Sequence, residues 1–176
     1  LCSWDIETYS RARKFPLAEN EDDCVIQIAS TFQRYGDPEP YRTSVMALKD
    51  TSPVSNIDVM SFEDEADLIN AWCDEVEAEK VDVLLGYNTH QYDWKYLIGR
   101  ALVCVDDASG ESNVDFSKLG RMLSGGGELR ERELNSGAYG QNKFTCLATP
   151  GIMQIDLLQY CRRETKLDSY SLNNVS

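Results

Sequence analysis

Val81 to Tyr87 (VDVLLGY) reads as a short buried strand, and apolar residues then recur at helical spacing at Trp94, Leu97, Ile98, Ala101, Leu102 and Val105. A strand passed directly to an amphipathic helix, Trp94 to Val105, points to an α/β fold whose sheet is covered by helices. It also singles out the turn between the two elements, which holds Asn88, Thr89, His90, Gln91, Tyr92 and Asp93. Open α/β sheets gather ligand-binding groups at such turns. Asp93 stands where a helix N-cap is expected, and Asp is a favoured cap. That role does not exclude a second one, because a carboxylate at a helix start can also hold a cation.

A pair of acids precedes this unit. Leu1 to Ile6 has strand character, and Asp5 and Glu7 follow the two-residue alternation of a strand. Their side chains leave one face about 7 Å apart at Cα, for a rise of ~3.4 Å per residue. Carboxylates so spaced can bridge two metal ions about 3.5–4 Å apart, which clamp the attacking and leaving oxygens of a phosphodiester. An all-carboxylate site suits hard Mg²⁺ or Mn²⁺ better than zinc. Taken alone, Asp-x-Glu is weak, since acidic pairs are common on solvated strand ends. The Asn88–Asp93 turn is what raises its weight.

Trp4-Asp5-Ile6-Glu7 resembles the first motif of the 3′→5′ proofreading exonuclease domain of family B DNA polymerases, with Trp4 where Phe is usual. Asn88, followed after three residues by Tyr92 and Asp93, is similar to the second motif. Met153 to Gln159 (MQIDLLQ) and Lys166 to Val175 (KLDSYSLNNV) resemble a further stretch of the same family, of the eukaryotic delta-like or large DNA virus type. Three matches in order leave little room for coincidence.

The resemblance implies a ribonuclease H-like mixed sheet with flanking helices (the DEDD exonuclease fold), truncated at the C-terminus. It implies that Asp5, Glu7 and Asp93 are catalytic and hold two Mg²⁺ or Mn²⁺ ions. Asp5 would bridge both ions, Glu7 would hold the one that activates water, and Asp93 would support the second. Thr8, Asn88 and Tyr92 would bind substrate: Thr8 at the terminal nucleotide, Asn88 orienting the strand or the acid turn, Tyr92 chiefly by packing. The implied substrate is the single-stranded 3′ end of primer-template DNA, whose terminal phosphodiester is hydrolysed. The implied partners are the palm, fingers and thumb of a parent DNA-directed DNA polymerase and a sliding clamp, in the nucleus or a viral replication compartment.

One family motif, Tyr-x-x-x-Asp, does not occur within residues 1–176. Tyr160-Cys161-Arg162-Arg163-Glu164 approximates it but ends in Glu and precedes the Lys-Leu-x-Ser-Tyr stretch, so it reads as an amphipathic helix end. The expectation is one incomplete exonuclease domain over 1–176, inactive or nearly so alone, with the third motif, a fourth acid and the polymerase domains downstream. Two other readings remain. A stand-alone exonuclease of this fold should lack Lys166–Tyr170, and a non-catalytic scaffold should have lost one of the acids.

Charge argues against a general affinity for DNA. The chain has 30 Asp and Glu against 17 Lys and Arg, a net charge of −13, so its surface as a whole repels phosphate. Bound divalent ions invert the local field, and other domains can supply grip. No stretch approaches the ~18 apolar residues of a membrane span, and no membrane partner is expected. Cys2, Cys24, Cys73, Cys104, Cys146 and Cys161 show no C-x-x-C spacing and read as free thiols in a reducing compartment. His90 is the one His, which excludes His-rich metal sites; it reads as a turn residue near substrate rather than a general base.

Val25–Tyr35 and Tyr41–Leu48 complete three antiparallel strands, joined by the turn residues Gly36, Asp37 and Pro38. The imperfect alternation of Val25, Ile26, Ile28 and Ala29 suggests a nearly buried central strand. Ser61 loosely opens a capping box for a helix presenting Leu68, Ile69, Trp72 and Val76 to the core. Phe144–Ala148 and Ile152–Ile155, joined at Pro150-Gly151, suggest a β-hairpin leading into a helix through Cys161, and Ser169 would cap a last helix. Residues 106–142 read mainly as loop. Within it, Ser124-Gly125-Gly126-Gly127-Glu128 lacks the Lys-Ser/Thr of a phosphate loop, and Arg121, Arg130, Arg132 and, adjacent to the loop, Lys143 read as solvated charges able to touch a DNA backbone.

Overall fold

The computed structural model describes residues 1–122, 126–136 and 140–175. The chain runs β1 (Cys2–Ser10), β2 (Asp23–Phe32), β3 (Arg42–Leu48), β4 (Asp58–Phe62), α1 (Glu65–Ala78), β5 (Val83–Gly86) and α2 (Asp93–Ala101). A 3₁₀ turn (Phe116–Lys118) follows, then β6 (Leu129–Ser136), β7 (Gly140–Leu147), β8 (Met153–Asp156), α3 (Leu157–Glu164) and α4 (Leu172–Val175). One mixed sheet has the order β4-β3-β2-β1-β5-β8. β2 is antiparallel to β1 and β3, whereas β4, β5 and β8 run parallel to their neighbours β3, β1 and β5. This is the ribonuclease H-like mixed sheet expected, with β6 and β7 forming a separate hairpin.

Alternation along β1 divides core from site. Cys2, Trp4 and Ile6 are buried and Asp5 and Glu7 are exposed on the other face. Trp4 packs against Trp72 of α1 at 4.7 Å between ring centroids and against Trp94 of α2 at 4.8 Å. Leu68, Ile69, Trp72 and Val76 are fully buried, as the helical spacing requires. Arg100, in the last turn of α2, donates to Glu65 at the start of α1 at 2.7 Å and to the carbonyls of Ala18 and Asn20. That buried ion pair sets the two helices against each other over the sheet.

Several local expectations are revised. The broken alternation of β2 marks a bulge, not a strand buried on both faces: Glu7 faces Gln27, Thr8 faces Val25, and Ile26 is the extra residue, 36% exposed. Ser61 lies in β4, an edge strand the apolar pattern did not reveal, and Asp64 occupies the N-cap of α1 without a side-chain cap bond. α2 stops at Ala101, where Leu102 closes it with a bond to the Gly99 carbonyl. Leu102 and Val105 are therefore exposed rather than core-facing. Ser169 does not cap α4 directly; its hydroxyl accepts from the Ser171 N–H in the preceding turn.

The Phe144–Ala148 strand does not pair with Ile152–Ile155. β7 pairs with β6, and β8 crosses to lie parallel to β5 from Val83↔Met153 to Gly86↔Asp156. A Pro-Gly turn marks where the chain bends but not which neighbour it meets. In the glycine stretch, Ser124 and Gly125 lie outside the described residues. Gly126 and Gly127 donate to the carbonyls of Ser117 and Ala148, and a Cβ on Gly126 would meet the Leu119 carbonyl oxygen at 1.9 Å. Close packing, not flexibility, requires glycine there.

Candidate active site

β5 ends where the site begins. Gly86 has no room for a Cβ, which would lie 2.2 Å from Thr89 Cγ2 and 3.0 Å from the Trp4 carbonyl oxygen. Asn88 follows at φ 66°, a left-handed conformation that Asn tolerates better than most side chains. Its carbonyl accepts from the N–H groups of Gln91 and Tyr92, which folds the turn back onto α2. Asp156, at the end of β8, fixes this turn from outside: its carboxylate accepts from the N–H groups of Asn88 at 2.8 Å, His90 at 3.2 Å and Leu158 at 3.0 Å. It also caps α3. Sequence reasoning quoted Asp156 but gave it no role; an Asp before an apolar helical run was the available signal.

Asp93 is not the N-cap of α2. Tyr92 occupies that position, and the Asp93 carboxylate reaches back to accept from the Ile6 N–H of β1 at 3.2 Å. β5 pairs with β1 only at Cys2 and Ser3, so the Ile6 N–H beyond is left for this bond. The reach brings the Asp93 carboxyl close enough to Asp5 for the two to influence each other's charge. Burial, and next the Asp5 charge, push the Asp93 carboxyl up to about 7. Asp5 is exposed to solvent over part of its surface, yet its carboxyl is raised, by partial desolvation first and by the Glu7 charge second. Two carboxylates held this close favour one shared proton, or a cation in its place.

Thr8 and Tyr92 are brought together by a 2.6 Å bond between their hydroxyls. Tyr92 also packs edge-on against Phe15 and obliquely against Tyr96. Asn88 and Asp5 line one cavity, in which Asn88 Oδ1 is buried without a hydrogen-bond partner among the described residues. His90 lies in the turn, but its ring lines a different cavity and contacts Phe144 edge-on at 6.2 Å. Of the loop cations, Arg121 pairs with Asp82 and Lys143 with Glu133, while Arg130 lines the cavity beside His90; the Arg132 side chain lies outside the described residues. All six cysteines are free thiols.

A divalent cation suits this site in three respects. The donors are all oxygens, two carboxyls are pressed to share a proton, and a buried amide oxygen lacks a partner. Among the described residues, however, no three acidic, His or Cys side chains converge tightly enough to enclose an ion.

The sequence of residues 1–175 matches the family described as DNA polymerase family B, exonuclease domain. The chain belongs to that family. It is 56% identical over its whole length to a DNA polymerase of Paramecium bursaria Chlorella virus NY2A, of which it covers 19%. It is 39% identical, again over its whole length, to the DNA polymerase delta catalytic subunit of Oryza sativa subsp. japonica, and 35% identical to that of Candida albicans. It spans 15% and 16% of those two relatives. Family B exonuclease domains are nucleases that generally depend on divalent metal, in keeping with the oxygen-only donor set around Asp5.

Proposed function

We propose that this domain removes nucleotides from the single-stranded 3′ end of DNA, as the proofreading exonuclease of a replicative DNA polymerase. The 3.2 Å bond from the Ile6 N–H to the Asp93 carboxylate, which joins the two exonuclease motifs of the family and sets Asp93 beside Asp5, carries the reading. Asp5, Glu7 and Asp93 would hold two Mg²⁺ or Mn²⁺ ions, which lower the pKa of bound water and so supply a nucleophile near neutral pH. The Ile6 N–H holds Asp93 toward Asp5, and Asp156 holds the turn that delivers Asp93. Thr8 and Tyr92 form the rim at which the terminal nucleotide enters, and Asn88 orients the acid turn.

The parent chain would carry the polymerase palm, fingers and thumb, engage primer-template DNA and a sliding clamp, and work in a nucleus or viral replication compartment. A scaffold role is disfavoured because Asp5, Glu7 and Asp93 are all retained. A stand-alone nuclease is disfavoured because Lys166–Tyr170 is present. The test is digestion of single-stranded DNA by the parent chain with Mg²⁺, using 5′-labelled and 3′-labelled strands. The 3′ label should appear at once as mononucleotide while the 5′-labelled strand shortens stepwise. Internal cuts, or release of the 5′ label first, would contradict the reading.

A further inference from the structure

The cavity beside Asp5 measures about 460 Å³ and has two unlike walls. Asp5 and Asn88 belong to one; Leu158, Arg162, Tyr170 and Leu172, from α3 and the segment after it, belong to the other. Arg162 is half-buried, and among the described residues it is the one cationic side chain lining this space. It forms no ion pair or hydrogen bond with them. Exposed cations such as Lys95 and Lys166 also have no ion pair among the described residues, but Arg42 and Arg100, the other cations there that are not exposed, do. Arg42 is pinned by Asp58, Glu75 and Glu79, Arg100 by Glu65, and Lys118 by Asp74. A half-buried guanidinium without a carboxylate is a costly arrangement unless an anion completes it.

The placement of Arg162 is fixed by the elements that build the site. Asp156 ties the start of α3 to the Asn88 turn through three backbone bonds, and the Tyr87 hydroxyl donates to the Tyr170 carbonyl at 2.6 Å. These bonds hold α3 and the segment after it against the turn, so that Arg162 and Asp5 line the same cavity. A guanidinium offers a planar fork of donors that matches phosphate bidentately. Contacts to phosphate position a strand without reading its sequence, which suits removal of any terminal nucleotide.

We infer that Arg162 binds a backbone phosphate of the DNA strand whose 3′ end lies at Asp5. The inference rests on the exonuclease reading above and adds a positioning residue outside the acidic motifs. The experiment uses the full parent chain and a single-stranded oligodeoxynucleotide, with kcat and KM for 3′ digestion measured over a range of salt. Arg162→Gln should raise KM about tenfold, the loss of one charge-assisted contact, with kcat within about twofold. The dependence of log KM on log salt should fall by about 0.7, as expected for one phosphate contact to a single strand. Arg162→Lys should restore most of that salt slope while recovering only part of KM, which separates lost charge from lost folding. If Arg162→Gln leaves KM and the salt slope unchanged while Asp5→Ala abolishes digestion, this inference alone is overturned. If digestion ignores Asp5→Ala, the exonuclease reading falls first and this one with it.

Discussion

At Asp93 burial and a like-charged neighbour act in the same direction, and the consequence is measurable. The residue is 2% exposed and its carboxyl is pushed up to about 7, with burial the larger cause and Asp5 the second. A raised carboxyl pKa means that the metal-free fold is favoured while Asp93 is protonated. That stability is fully present below about pH 4, the unfolded value, and is lost as pH rises through about 7. In chelator, Asp93→Asn should therefore be more stable than wild type at pH 8, by an amount on the order of a few kcal/mol. Denaturation at a series of pH values would show the gap closing toward pH 4; parallel stability curves would contradict the assignment. The placement of Asp5 and Glu7 on one face of β1, and of Asp93 in the turn after β5, was legible in the sequence because strand alternation and motif spacing are local. The bond that defines Asp93 was not, since it depends on where β5 stops pairing with β1.

Among the elements, α1 and α2 were readable from their apolar spacing because each buries one face against the sheet. Strand pairings were readable only where neighbours in sequence are neighbours in space. β4 is short, on an edge and largely unburied, so it carries little apolar signal. β8 carries a clear pattern, but its parallel partner β5 lies far back in the chain, and a parallel pair has no turn to announce it. Asp156 escaped notice for the same reason, because its importance follows from the β5–β8 pairing. Asp156→Asn should weaken at least one of its three backbone bonds and destabilise the fold by about 2 kcal/mol. Hydrogen exchange at the Asn88 and His90 amides should quicken while amides of β2 and β3 keep their protection. Equal protection everywhere would show that the turn does not depend on Asp156.

For the whole molecule, the net charge of −13 and the proposed substrate conflict only if DNA is held by the entire surface. In the proposed reading the interaction is confined to the cleft at Asp5, where the carboxylates would hold cations and Arg162 would supply a positive charge. General affinity for DNA would then come from other domains; the chain spans 19% and 15% of two relatives of its family. The central claim, that the Asp5–Asp93 pair is the heart of a 3′→5′ exonuclease, is tested most directly by one comparison. The parent chain and its Asp5→Ala variant are given the same single-stranded DNA with Mg²⁺, and terminal nucleotide release is timed. The account predicts a fall of at least about a thousandfold, more than 4 kcal/mol in the barrier, with extension of a matched primer unchanged. Equal digestion by the two proteins would remove Asp5 from the chemistry and the account with it.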